Sequence, residues 1–164
     1  MNQSVFDIIL SYTSRAPVDV RGLAKELGIL VKEEALPEER SGSIEKKDGK
    51  YIITVNKSHH PNRKRFTIAH EIGHYIFHSD YIELGAIVDD KLYRDERVGG
   101  ENETQANKFA ASILMPESLI KCLMESGVNT IDGLARELQV SEQAMAIRVG
   151  SLNIPEEPQE PINV

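Results

Sequence analysis

The segment Phe66-Thr67-Ile68-Ala69-His70-Glu71-Ile72-Gly73-His74-Tyr75 constrains this chain more than any other. Around it, Phe66, Ile68, Ala69, Ile72, Ile76 and Phe77 recur at helical spacing. The sequence therefore predicts a long helix over residues 62–78, with Pro61 and Asn62 marking its start. Residues four apart on an α-helix share a face, one turn from each other. His70 and His74 can thus aim ring nitrogens at a single metal ion. Glu71 is rotated by about 100° from His70, within reach of a water held there without being a ligand. The competing reading is a solvated helix face with two incidental histidines. The context weighs against it, because the motif lies inside a helix, follows a strand and carries Gly73, which removes bulk.

A catalytic zinc keeps one position open for water and takes three ligands from the protein. Two histidines leave one to find. The best downstream candidate is Glu103, in Glu103-Thr104-Gln105-Ala106-Asn107-Lys108-Phe109-Ala110, a helical segment with Ala106, Phe109, Ala110 and Ile113 on one packing face. Glu101 is the rival. Either acid could instead be a solvated charge at a helix N-terminus. Asn107 lies one turn beyond Glu103, placed to accept a hydrogen bond from the free N–H of a ligating histidine and so fix its ring.

His78 continues the four-residue series, but each such step drifts by about 40° around the helix. A third histidine on one helix completes a tetrahedral site poorly, so His78 is expected to be structural or to support the ligands. His59 and His60 precede Pro61 and are expected to be exposed or to line the cleft. Cys122, the single cysteine, sits among Leu119, Ile120, Leu123 and Met124 and reads as a small core or half-buried residue rather than a nucleophile.

The rest of the chain supplies a frame for this helix. Residues 3–14 have a helical pattern, Asp19 can cap a short helix ending at Gly28, and residues 29–32 read as a short strand. Residues 35–42 look like a loop. Residues 43–47 and 50–55 form a hairpin about Asp48-Gly49, a pair suited to a two-residue turn in which both positions need positive φ. An exposed edge on strand 50–55 would let an extended peptide pair with it. Residues 79–100 show no period and read as a mobile loop near the site. Helices are expected over 102–114, 117–126, 131–138 and 141–151, and residues 154–164, rich in Pro and Glu, read as a disordered tail.

The 164 residues suit one domain, taken as residues 1–153 with helix-turn-helix-like helices at about 130–151. A formal charge of −7, from 26 acidic and 19 basic residues, argues against nucleic acid as main ligand and against anionic membranes. A lone cysteine asks for no oxidising compartment. The first residues lack a signal-peptide pattern and no stretch reaches the length of a membrane span, so a cytoplasmic location is expected.

Taken together, Arg65 to His74, Glu103 to Ala110 and Leu114-Met115-Pro116 resemble the ImmA/IrrE family of metallo-endopeptidases, which look like gluzincin-type zincins. Leu134-Ala135 and Val140 to Met145 resemble that family's closing helices, so the likeness runs over about residues 15–153. It implies an α+β fold: a minigluzincin core with a small antiparallel sheet, an active-site helix and C-terminal helices. It implies His70, His74 and Glu103 as metal ligands and Glu71 as the catalytic residue. The cofactor is expected to be Zn2+, with Mn2+ or Fe2+ compatible with the same donors. The substrate class it implies is a helix-turn-helix transcriptional repressor, cleaved at one site to release mobile-element, defence or stress-response genes. A different class of function is a DNA-binding or metal-sensing module without proteolysis. Residues 130–151 have the required helix-turn-helix pattern, but their second helix carries only Arg148 as a basic residue, where phosphate contacts need several.

Overall fold

The computed structural model describes residues 3–90, 99–152 and 154. Two short helices, α1 (Val5–Tyr12) and α2 (Val20–Glu26), lead into the sheet. Asp19 caps α2 by accepting from the Gly22 N–H, and Gly28 follows with φ 81°. Strands β1 (Ile29–Glu34), β2 (Arg40–Lys47) and β3 (Lys50–Asn56) come next. The expected hairpin turn joins β2 to β3, with Asp48 at φ 51° and Gly49 at φ 77°, the two positive values this turn requires.

The fold class is α+β, with a four-stranded sheet in the order β1-β3-β2-β4, where β4 is Ile87–Asp90. Pairing is antiparallel for β2 with β3 and β2 with β4, but β1 joins β3 in parallel. The sheet is therefore mixed rather than wholly antiparallel. Five residues carry the chain from β1 to β2 across the end of β3. Asn56 holds that crossing: its Nδ2 lies 3.0–3.1 Å from the carbonyls of Leu36, Pro37 and Arg40.

The same order corrects the expectation that strand 50–55 offers an open edge. β3 is flanked on both sides, and β1 and β4 are the edges among the described residues. Residues 79–90 also differ from the expected loop, since they form α4 (Ser79–Glu83) and then β4. Residues 91–98 of that stretch lie outside the described residues, as does all of the acidic tail but Ile154.

Helix α3 (Pro61–Phe77) crosses one face of the sheet. Ile68 and Ile72 pack with Ile44, Ile53, Val55 and Ile87 in the core. Helix α5 (Gly99–Leu114) covers the other side of α3, so residues Thr67 to His74 are buried without interruption. An ordinary surface helix buries one stripe; this one is enclosed by a sheet and a helix together. Gly73 permits the close approach. A Cβ there would lie 3.1 Å from Phe109 Cδ1 and 3.2 Å from Ala106 Cα.

Three helices follow: α6 (Glu117–Glu125), α7 (Ile131–Leu138) and α8 (Glu142–Ser151). Thr130 and Ser141 cap the last two through their hydroxyls. The turn between them is fastened to the first turns of α3. Arg65 donates to the Leu138 and Gln139 carbonyls, and Asn62 donates to Val140 O. Cys122 is exposed on α6, not part of the core: Ile120 is the buried residue of that helix. Among the described residues no helix is long and apolar enough to cross a membrane.

Candidate metal centre

The middle of α3 brings His70, Glu71 and His74 into the interior, with Glu71 and His74 at 0% exposure. A carboxyl group wholly removed from water is held there at an energetic cost. Such costs concentrate where chemistry is done. The two imidazoles meet as expected for residues one turn apart, with Nε2 of His70 and Nε2 of His74 3.0 Å from each other. Their rings stand nearly perpendicular, at 83°.

Helix α5 closes the set. Glu103 Oε2 lies 3.2 Å from His70 Nε2, and Glu103 Oε1 lies 3.0 Å from His74 Nε2. These three residues form a group whose donor atoms all fall within 4.8 Å of one another. Glu101, the rival from sequence, is exposed and not part of that group.

The donors fit a divalent cation. Metal–ligand bonds of about 2.0–2.1 Å in tetrahedral geometry separate neighbouring donors by about 3.3 Å. The separations of 3.0 to 3.2 Å among the two ring nitrogens and the carboxylate are close to that edge length. Two nitrogens and one oxygen suit zinc, and leave room for water or substrate as a fourth partner. Electrostatics points the same way. Burial pushes the Glu103 carboxyl up, but when the two rings are protonated their hydrogen bonds and charge outweigh it and hold the group well below the usual carboxylate range. A cation held between the three residues would take the place of those ring protons opposite the carboxylate.

The rings are held from behind. His70 Nδ1 lies 2.8 Å from Asn107 Oδ1. A carbonyl oxygen only accepts, so the ring donates from Nδ1 and its Nε2 lone pair faces the centre. Asn107 thus takes the place anticipated one turn beyond Glu103. His74 Nδ1 lies 2.8 Å from Nδ1 of His78, whose Nε2 lies 2.9 Å from Gln105 Oε1. His78 sits at the C-cap of α3, buried, and points away from the donor set toward these supports. Burial lowers its tendency to take up a proton, although the Gln105 hydrogen bond opposes that.

Gln105 was not singled out from sequence. The signal was present: a polar residue two positions from Glu103, facing a helix with a third histidine at the four-residue spacing. His59 and His60, considered for the cleft, are engaged elsewhere. His59 is buried and its Nε2 lies 3.1 Å from the Glu38 carbonyl, while His60 caps α3 by accepting from the Asn62 N–H.

Comparison with known proteins gives matches of three kinds. Residues 24–149 match the family model of Peptidase M78, described as the IrrE N-terminal-like domain. Two proteins named radiation response metalloprotease IrrE are similar in sequence. The one from Deinococcus radiodurans is 45% identical over 74 residues, 45% of this chain and 22% of that protein. The one from Deinococcus deserti is 37% identical over 83 residues, 48% of this chain and 29% of that protein. The chain therefore matches less than a third of the length of these relatives. Among solved structures, a Mycobacterium tuberculosis transcriptional regulator superposes with a TM-score of 0.57 at 22% identity, covering 94% of this chain and 44% of that one. At that identity the likeness concerns the fold.

Proposed function

This chain belongs to the ImmA/IrrE family of metallopeptidases, and from that premise we propose that it is a zinc-dependent endopeptidase. The observation that carries the reading is the convergence of His70, His74 and Glu103 around one point, with Glu71 fully buried one residue from the first histidine. In this reading His70 and His74 bind through Nε2 and Glu103 through its carboxylate. A zinc ion bound there supplies a Lewis acid that polarises the scissile carbonyl and lowers the pKa of the attacking water.

The chain's own residues do the rest. Glu71 takes a proton from the attacking water and later delivers it to the leaving amide nitrogen, which must be protonated to depart. Asn107 keeps His70 oriented with its donor atom toward the centre. The Glu103 anion balances part of the positive charge while leaving the two imidazoles neutral. An extended substrate would add to an edge of the sheet. Of the two edges, β4 is the strand after which the chain goes on to α5 and Glu103.

We take the substrate to be a helix-turn-helix transcriptional repressor cut at one bond, with release of stress-response, defence or mobile-element genes. Membership of the family and the radiation-response names of its relatives support this choice. A purely DNA-binding role finds little support at α8, where Arg148 is half-buried and donates through Nε to the Met115 carbonyl at 2.9 Å.

The test is incubation of the protein with the repressor encoded beside it. Cleavage at one bond is expected, stopped by a chelator and restored by zinc. Glu71→Gln should lower the rate by about 10²–10⁴-fold while zinc content, measured by mass spectrometry of the metal, stays at that of wild type. Equal cleavage by wild type and Glu71→Gln, or broad digestion of casein, would overturn the reading.

A further inference from the structure

The two histidines of the centre are propped differently. His70 rests on an amide oxygen, whose chemistry leaves no choice of donor. His74 rests on another imidazole, His78, and an imidazole can donate or accept at Nδ1 depending on where its proton is. Something must decide that, because the answer dictates which nitrogen of His74 carries a proton.

The decision falls to Gln105. Its Oε1 lies 2.9 Å from His78 Nε2 and can only accept, so the His78 proton is on Nε2. A neutral imidazole carries one proton. His78 Nδ1 is then a bare lone pair and accepts from the Nδ1–H of His74, 2.8 Å away. With its proton committed to Nδ1, His74 turns the lone pair of Nε2 toward Glu103 and His70. We propose that Gln105 is a positioning residue of the metal centre, which acts through His78 to fix the proton of His74 on the nitrogen facing away from the metal. The inference rests on the metal-centre reading above and adds to it a residue that touches neither metal nor substrate.

Gln105 is exposed on α5, so its replacement leaves the core intact. That permits a test in which packing and proton placement give different orders. Gln105→Glu keeps an acceptor. Gln105→Met keeps the length and loses it. Gln105→Lys offers only a donor, which would place the His78 proton on Nδ1 and the His74 proton on Nε2, facing the centre. Zinc affinity is measured by competition with a chelator, and the His78 tautomer by ring 15N chemical shifts in the metal-free and zinc-loaded proteins.

Wild type and Gln105→Glu are expected to show the His78 proton on Nε2 and to bind zinc about equally well or tighter for Glu. Gln105→Met should bind about 10-fold more weakly or worse. Gln105→Lys should bind most weakly, with the His78 proton moved to Nδ1. A His78 proton on Nδ1 in wild type, or zinc affinities for Met and Lys variants equal to each other or to wild type, would sink the proposal. Absence of zinc binding by wild type is a different outcome. It removes the metal centre itself, while the tautomer measurement still decides where the proton lies.

Discussion

Two helix pairs in this molecule look functional when read as sequence, and the structure treats them in opposite ways. Helix α3 buries its polar residues and α5 aims its own at them: His70, His74 and the half-buried Glu103 converge, and Asn107 and Gln105, on the exposed side, back the histidines. Helices α7 and α8 expose theirs. Glu142, Gln143 and Arg136 face solvent, and the one basic residue of α8 is spent on the Met115 carbonyl. Ile147, a large apolar residue, stands 67% exposed on α8, where a DNA-reading helix would present donors and cations. The contrast teaches a criterion. A motif is read as chemistry when its polar groups are withdrawn from water at a cost and meet one another. Without that, the same helical spacing reports packing.

The comparison breaks most visibly at Glu103. Glu103→Gln should weaken zinc binding by more than the 10–100-fold typical of losing a supporting hydrogen bond, whereas Glu101→Gln should leave it unchanged, both read by chelator competition. Equal losses would mean that convergence in α5 was misjudged.

The packing of the inner pair gives a smaller effect. In Gly73→Val the new side chain meets Ala106 and Phe109, where a Cβ alone already lies at 3.1–3.2 Å. A loss of about 1–3 kcal/mol in urea unfolding is expected, together with weaker zinc binding as α5 is pushed from α3. Unfolding at the wild-type urea midpoint with unchanged zinc affinity would show that the helix spacing is not set at this residue.

The outer pair should respond least. Arg148→Met removes the bond to Met115 O and should cost about 1 kcal/mol in thermal unfolding. Mobility-shift assays with duplex DNA should not distinguish it from wild type. A drop in salt-dependent DNA binding with no change in stability would turn the criterion over and make α8 the functional helix.

Much of this was legible beforehand because it is local. The ends of α3, the two positive φ values at Asp48 and Gly49, and the cap at Asp19 depend on residues within one turn of each other. The spacing of His70 and His74 belongs to the same class. What escaped is non-local. Alternation in a strand says which face is buried, not which strand is the neighbour, so the parallel pairing of β1 and the interior place of β3 went unread. One sign was available: Tyr51-Ile52-Ile53-Thr54-Val55 is almost continuously apolar, as in a strand enclosed by others. β4 is four residues long and pairs across 43 positions, Ile44 with Ile87, which gives periodicity little to act on. His59 was misjudged for a related reason. Its neighbours in sequence are polar, and its Nε2 meets the Glu38 carbonyl of the loop between β1 and β2, a contact no local pattern announces.

Glu103, Gln105 and Asn107 all stand on α5, and His70 and His74 stand on α3 with His78 at its C-cap. The centre thus has only two rigid parts. A slide of one helix past the other by a fraction of a turn would withdraw the acid and both props at once, so grip on a cation there would be all-or-none. Retention of an ion there would be set by the registration of two rods, not by the rotation of any one side chain.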